Sequence, residues 1–99
     1  MLVHNRCNGN WAEGGRGSSL NNARYHFNEH GAEVGAGTIE EYTKKAMNFA
    51  NTVISKGKKG YYIDGATPNT YRYIFNGKYI DLSFDGVEHL IVSFGSRYH

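Results

Sequence analysis

The chain predicts an α+β domain in which two N-terminal helices pack on one face of a three- to four-stranded antiparallel sheet. Two observations carry that expectation. Between residues 19 and 55 the apolar residues recur at helical spacing, whereas beyond Gly60 they alternate and are separated by glycine-containing turns. At 99 residues, 39% of them hydrophobic and 14% aromatic, the chain makes one small globular domain. Its core is modest, so any site must lie on the surface or in a shallow cleft.

Residues 1–17 show little periodicity, are rich in Gly and Asn, and read as a linker or loosely ordered arm with Trp11 tucked against the domain. The domain proper then runs over 18–99. Cys7 is the single cysteine, so no internal disulfide forms, and it reads as incidental. Helix one is expected over Ser19 to His30, capped by Ser18 or Ser19. Leu20, Ala23 and Phe27 face inward, and Gly31 closes it in the left-handed conformation. After a connection from Gly31 to Gly37, Thr38-Ile39-Glu40-Glu41 forms a capping box for helix two. Ile39, Tyr42, Ala46, Phe49, Ala50 and Val53 make its buried face, Glu40, Lys44, Lys45 and Asn48 its wet one, and it ends near Ser55.

Lys56-Gly57-Lys58-Lys59-Gly60 is a basic turn, and Tyr61 to Asp64 is a short strand. Thr70–Phe75 and Lys78–Phe84 flank Asn76-Gly77, a strong signal for a two-residue hairpin turn. Phe75 then opposes Lys78. Tyr71, Tyr73, Phe75, Ile80, Leu82 and Phe84 share the core face, and Arg72, Ile74, Tyr79, Asp81 and Ser83 share the other. A second hairpin turns at Asp85-Gly86; a three-residue loop with Gly86 in a bulge sends Leu90, Val92 and Phe94 to the core. Arg72, Asp81, His89 and Ser93 are left on the open face. Arg97 to His99 form a short tail.

The formal charge of +2 and pI near 8.7 permit a polyanionic partner without demanding one. No apolar run reaches the length of a membrane span, and no signal peptide is visible. The chemistry centres on His26 and His30, four residues apart and so on one helical face. Two imidazoles can serve as acid and base without a metal, taking a proton from a ribose 2′-hydroxyl and returning one to a departing 5′-oxygen. The same five residues match H-x-x-E-H, a zinc peptidase pattern, for which Glu33 or Glu88 would have to supply the third ligand. The pair can also be an ordinary boundary pair of a non-catalytic binding module.

Arg72 suits either a cross-strand ion pair with Asp81 or the neutralisation of a phosphate. Ser93 can donate to a phosphate oxygen, and Tyr79 on the open face can stack on a base. His89 is a reserve acid or base, and Tyr71, assigned to the core, stands in reserve beside it. Lys44, Lys45, Lys56, Lys58 and Lys59 offer electrostatic contacts to RNA.

The stretch HFNEHGAEVGAGTIEEYTKKAMNF, with Arg72-Tyr73, Asp85-Gly86 and Ile91-Val92-Ser93-Phe94, resembles the C-terminal toxin domains of bacterial contact-dependent and polymorphic toxins. These are grouped with the barnase, EndoU, colicin and RelE ribonuclease superfamily, and the likeness spans about Ser19 to Phe94. Ser93 stands where those domains usually carry Thr, Val34 where they carry an aromatic, and Gly95-Ser96 where Lys-Pro commonly follows. The resemblance implies a metal-independent ribonuclease, often one that cuts tRNA, that needs no cofactor and leaves 2′,3′-cyclic phosphate and 5′-hydroxyl ends. It assigns catalysis to His26, His30, Arg72 and Ser93. It further implies a toxin monomeric when free, neutralised by a cognate immunity protein, and delivered from a secreted or cell-surface parent into the cytoplasm of a target cell. The other expectations are a binding or adaptor module of a phage or secreted protein and, lastly, a zinc metallopeptidase.

Overall fold

The computed structural model describes residues 6–96; residues 1–5 of the expected arm and the tail 97–99 lie outside the described residues. In chain order the elements are β1 (Cys7–Trp11), α1 (Ser19–His30), a single 3-10 turn (Ala32–Val34), α2 (Ile39–Ser55), β2 (Tyr61–Ile63), β3 (Thr70–Phe75), β4 (Lys78–Phe84) and β5 (His89–Ser96). The α+β class holds, with corrections to the sheet and to the expectation that both helices pack on one face, since α2 covers one face while α1 is fastened along β5 with His26 beside Ser93 on the other. The sheet has five strands in the order β1-β5-β4-β3-β2, and it is mixed, because β1 runs parallel to β5 while the other neighbours are antiparallel.

The extra strand comes from the segment read as an arm. Cys7 and Trp11 are buried, and the Asn51 side chain of α2 accepts from the Cys7 N–H at 2.8 Å and donates to its carbonyl at 2.9 Å. β1 is irregular, since the step from Cys7 to Trp11 spans only His89 to Ile91 on β5. Such a strand carries no clean alternation to read.

Both helix starts follow their caps: Ser18 Oγ accepts from the Asn21 N–H, and Thr38 Oγ1 from the Glu41 N–H. The Glu41 carboxylate reaches back to the Gly37 N–H at 2.8 Å, closing the capping box one residue early. The end of α1 differs from expectation. Gly31 is right-handed (φ −57°) and leads straight into the 3-10 turn, and it is Gly35 that adopts φ 74°. Gly31 is needed for room, because a Cβ there would lie 2.6 Å from the Phe27 ring. Leu20 is exposed, and the buried residues of α1 are Asn22 and Ala23.

The core forms where Tyr42, Ala46, Ala50 and Val53 of α2 meet Ile80, Leu82, Ile91 and Phe94 of β4 and β5. Tyr42 is fully buried, and its hydroxyl donates to the Phe94 carbonyl. The Asn76-Gly77 turn has positive φ at both residues and sets the expected register, with Phe75 opposite Lys78 and Arg72 opposite Asp81. The second hairpin is corrected. Its loop is the four residues 85–88, held by Asp85 Oδ1 accepting from the N–H groups of Val87 and Glu88. The bulge lies within the strand, where Leu82 pairs with Ile91 and Asp81 with Ser93, leaving Val92 as the extra residue. Ile91 and Phe94 therefore face the core, Leu90 does not, and His89 sits opposite Phe84.

If β1 is integral, Trp11→Ala should cost about 3–5 kcal/mol of unfolding free energy. Urea denaturation would measure it; a loss below about 1 kcal/mol would return this segment to the status of a loose arm.

Candidate active site

Because β1 stops at Trp11, the C-terminal half of β5 has no strand neighbour on that side. Helix α1 takes the vacant edge. Fully buried Asn22 donates both amide hydrogens, to the Ala12 carbonyl at 3.0 Å and to that of Val92, the bulged residue, at 3.1 Å. One and two turns further on, His26 and His30 are brought against the face of the sheet opposite α2.

There the side chains form a continuous hydrogen-bonded path. His26 Nδ1 lies 3.3 Å from Ser93 Oγ, Ser93 Oγ 2.9 Å from the Tyr79 hydroxyl, and that hydroxyl 3.4 Å from His30 Nε2. His30 Nδ1 is 3.1 Å from both carboxylate oxygens of Glu33, which in turn accepts from the Ser96 N–H. The two imidazoles stack 5.8 Å apart at 12°, and Trp11 packs near His26 at 6.2 Å. A missing side chain makes the room. A Cβ on Gly95 would stand 2.9 Å from the Tyr79 ring, 3.0 Å from the Glu33 carboxylate and 3.1 Å from the His30 ring.

Burial, reinforced by the nearby charges of His30 and Arg16, lowers the His26 pKa to about 4, so its ring is neutral near pH 7. Tyr79 is raised by burial and keeps its proton. Arg72 grips Asp81 with two bonds, Nε–Oδ1 at 2.7 Å and Nη2–Oδ2 at 2.9 Å, while its guanidinium covers the Tyr79 ring at 4.2 Å. The Asp81 side chain is 4% exposed and that of Arg72 34%. The hydrogen bond to Asp81 pushes Arg72 further above its ordinary value; burial raises Asp81, against the opposing pull of Arg72. Two of the five guanidinium N–H donors are used on Asp81.

His26, His30, Arg72, Ser93 and Tyr79 are thus brought together. Tyr79 is buried beneath Arg72, so its ring cannot receive a base. Tyr61, directly paired with Arg72 and 52% exposed, is the aromatic available on that face. His89 packs against Phe84 at 5.0 Å, its Nδ1 buried, and not on the face of Ser93 as expected; the bulge at Val92 inverts that part of β5. Tyr71 pairs with Leu82 on the α2 side. Lys56 and Lys58 lie over the Phe75 ring, also on the α2 side, and Lys44, Lys45 and Lys59 are exposed. Arg16 and Gly95 escape the sequence reading as parts of this site, since nothing in their spacing ties them to His26 or His30, while Glu33, weighed there as a third metal ligand, is instead the hydrogen-bond partner of His30. Among the described residues no group of three His, Cys, Asp or Glu side chains is arranged to hold a metal; Glu33 binds His30, and Glu88 lies with Asn10 beside β1.

No family model, curated protein or solved structure matches this chain. Its chemistry has to be read from the side chains themselves.

Gly95→Ala should separate Tyr79 from His30 and cost about 1–3 kcal/mol in stability, read by thermal unfolding and by loss of coupling between the two residues in NMR titrations. The His26 environment also sets a pH dependence. An unfolded His binds its proton near 6.5 and the folded one only near 4, so in between the unfolded chain holds more protons. The melting temperature should fall as pH drops through that window, and His26→Gln should flatten the slope.

Proposed function

We propose that this domain is a metal-independent ribonuclease. The observation that supports the reading best is the path from His26 through Ser93 and Tyr79 to His30, flanked by Arg72. It sets two imidazoles of unlike environment beside a cation on one partly open face.

His26, neutral near pH 7, accepts the 2′-hydroxyl proton as the 2′-oxygen attacks phosphorus. The bond from phosphorus to the 5′-oxygen breaks, and His30, oriented by Glu33 on its Nδ1, gives a proton to the leaving 5′-oxygen. The products are a 2′,3′-cyclic phosphate and a 5′-hydroxyl. The free donors of Arg72 meet the charge gathering on the phosphoryl oxygens, and the Ser93 and Tyr79 hydroxyls hold the two imidazoles in register. tRNA as the substrate, a neutralising immunity protein, and delivery into a target cell from a secreted parent rest on the resemblance of the sequence to polymorphic toxin domains. They belong to the same proposal.

A second reading draws on the same hydrogen bonds. His26 and His30 bond to Ser93, Tyr79 and Glu33 of the same chain, as in a binding module where the pair only fastens α1 to β5. Toxicity separates the two readings, since a nuclease should be hard to express without its inhibitor and an adaptor should not. The direct test is incubation with total bacterial RNA in chelator. Wild-type protein should give discrete products with cyclic phosphate ends, and His26→Ala and His30→Ala should each lose about 10²–10⁴-fold in rate while remaining folded. Near-wild-type cleavage by His30→Ala would remove that residue from the mechanism; intact RNA with the wild type would favour the binding module.

A further inference from the structure

Beside His26 lies a cleft of about 80 Å³, between Asn22 and Val92 on one side and Asp64, Thr67 and Thr70 of the β2–β3 loop on the other. It is well below the roughly 300–1,000 Å³ of a drug-sized pocket, so it takes the edge of one planar ring and no more. Three of its side chains offer acceptors. Asn22 must turn Nδ2 toward the carbonyls of Ala12 and Val92, which leaves Oδ1 as an acceptor; that atom is buried and has no partner. Asp64 contributes a carboxylate, one oxygen of which accepts from the Tyr62 hydroxyl. The Thr70 hydroxyl spends its hydrogen on the Thr67 carbonyl at 2.7 Å, leaving only lone pairs to offer. The loop is further tied down by Ser83 Oγ donating to the Pro68 carbonyl at 2.9 Å.

We infer that this cleft is a nucleobase subsite that selects a base carrying an exocyclic amino group, that is adenine, cytosine or guanine, and discriminates against uracil. The inference rests on the ribonuclease reading, because His26 is the wall shared by the cleft and the reaction path. An amino group brings N–H donors to Asn22 Oδ1, Asp64 and Thr70. Uracil brings one N–H, at N3, between two carbonyl oxygens that the neighbouring acceptors repel, so it serves fewer of them than an amino group does. The base would thus be held next to the ribose whose 2′-hydroxyl meets His26.

The test uses the whole chain and the four nucleoside 3′-monophosphates, with the Asn22 side-chain amide followed by ¹⁵N NMR. Asn22 itself is left intact because it holds α1 in place. The adenine, cytosine and guanine nucleotides should bind at least about tenfold more tightly than the uracil nucleotide and shift the Asn22 resonances. Asp64→Ala should shrink that ratio. Equal binding of all four, or shifts at Tyr61 with none at Asn22, would overturn the subsite. Cleavage of RNA without any base preference would overturn it while leaving the ribonuclease intact. Selective binding without RNA cleavage would keep the subsite and remove the ribonuclease.

Discussion

The buried Asn22 amide is the interaction on which the site depends. Strand β1 ends halfway along β5, and a bulge displaces Val92 from the regular ladder, so two carbonyls at the same place need donors. Asn22 supplies both from one side chain. A buried carbonyl left unpaired costs about 1–3 kcal/mol, so a helix that satisfies two at once is strongly located. Location is what matters here. With Asn22 anchored, the helical repeat carries His26 to Ser93 and His30 to Tyr79, and a helix turned by one residue would point neither imidazole at the sheet.

Burial then differentiates residues that look equivalent along the chain. His26 is hemmed in by Trp11, His30 and the charge of Arg16, which together favour its neutral form. His30 has Glu33 at one nitrogen and Tyr79 at the other. Two imidazoles on one helix thereby sit in unlike surroundings. Arg72 is similarly shaped by its partner. Asp81 is buried and takes two guanidinium bonds, and the Tyr79 ring packs against the cation, so the guanidinium is held in place without a loop. Rigid strands, not flexible segments, carry this part of the site.

The gap left by Gly95 has an equal part. Tyr79, Glu33 and His30 all approach the space a side chain would fill, and Gly95 is paired directly with Tyr79 across β4 and β5. Close approach of backbone to functional groups is a common reason for glycine within a strand. The cleft on the far side of His26 extends the same face toward β2 and β3.

Local patterns in the chain determined a good deal: both helices and their N-terminal caps, the Asn76-Gly77 hairpin with its register, and the opposition of Arg72 and Asp81. Each of these is a short-range signal, set by side-chain hydrogen bonds to nearby backbone or by the strand repeat of two. His26 and His30 were legible as a pair for the same reason. Tertiary structure alone decided the rest. β1 is parallel to a strand some eighty residues away and irregular, so it leaves no local trace. The bulge fell at Val92 and not at Gly86 because Asn22, far off in sequence, receives the displaced carbonyl there; this moved His89 out of the site. Gly95 joined the site only through the docking of α1 on β5. Contacts across such separations depend on how whole elements dock, which residue spacing does not encode.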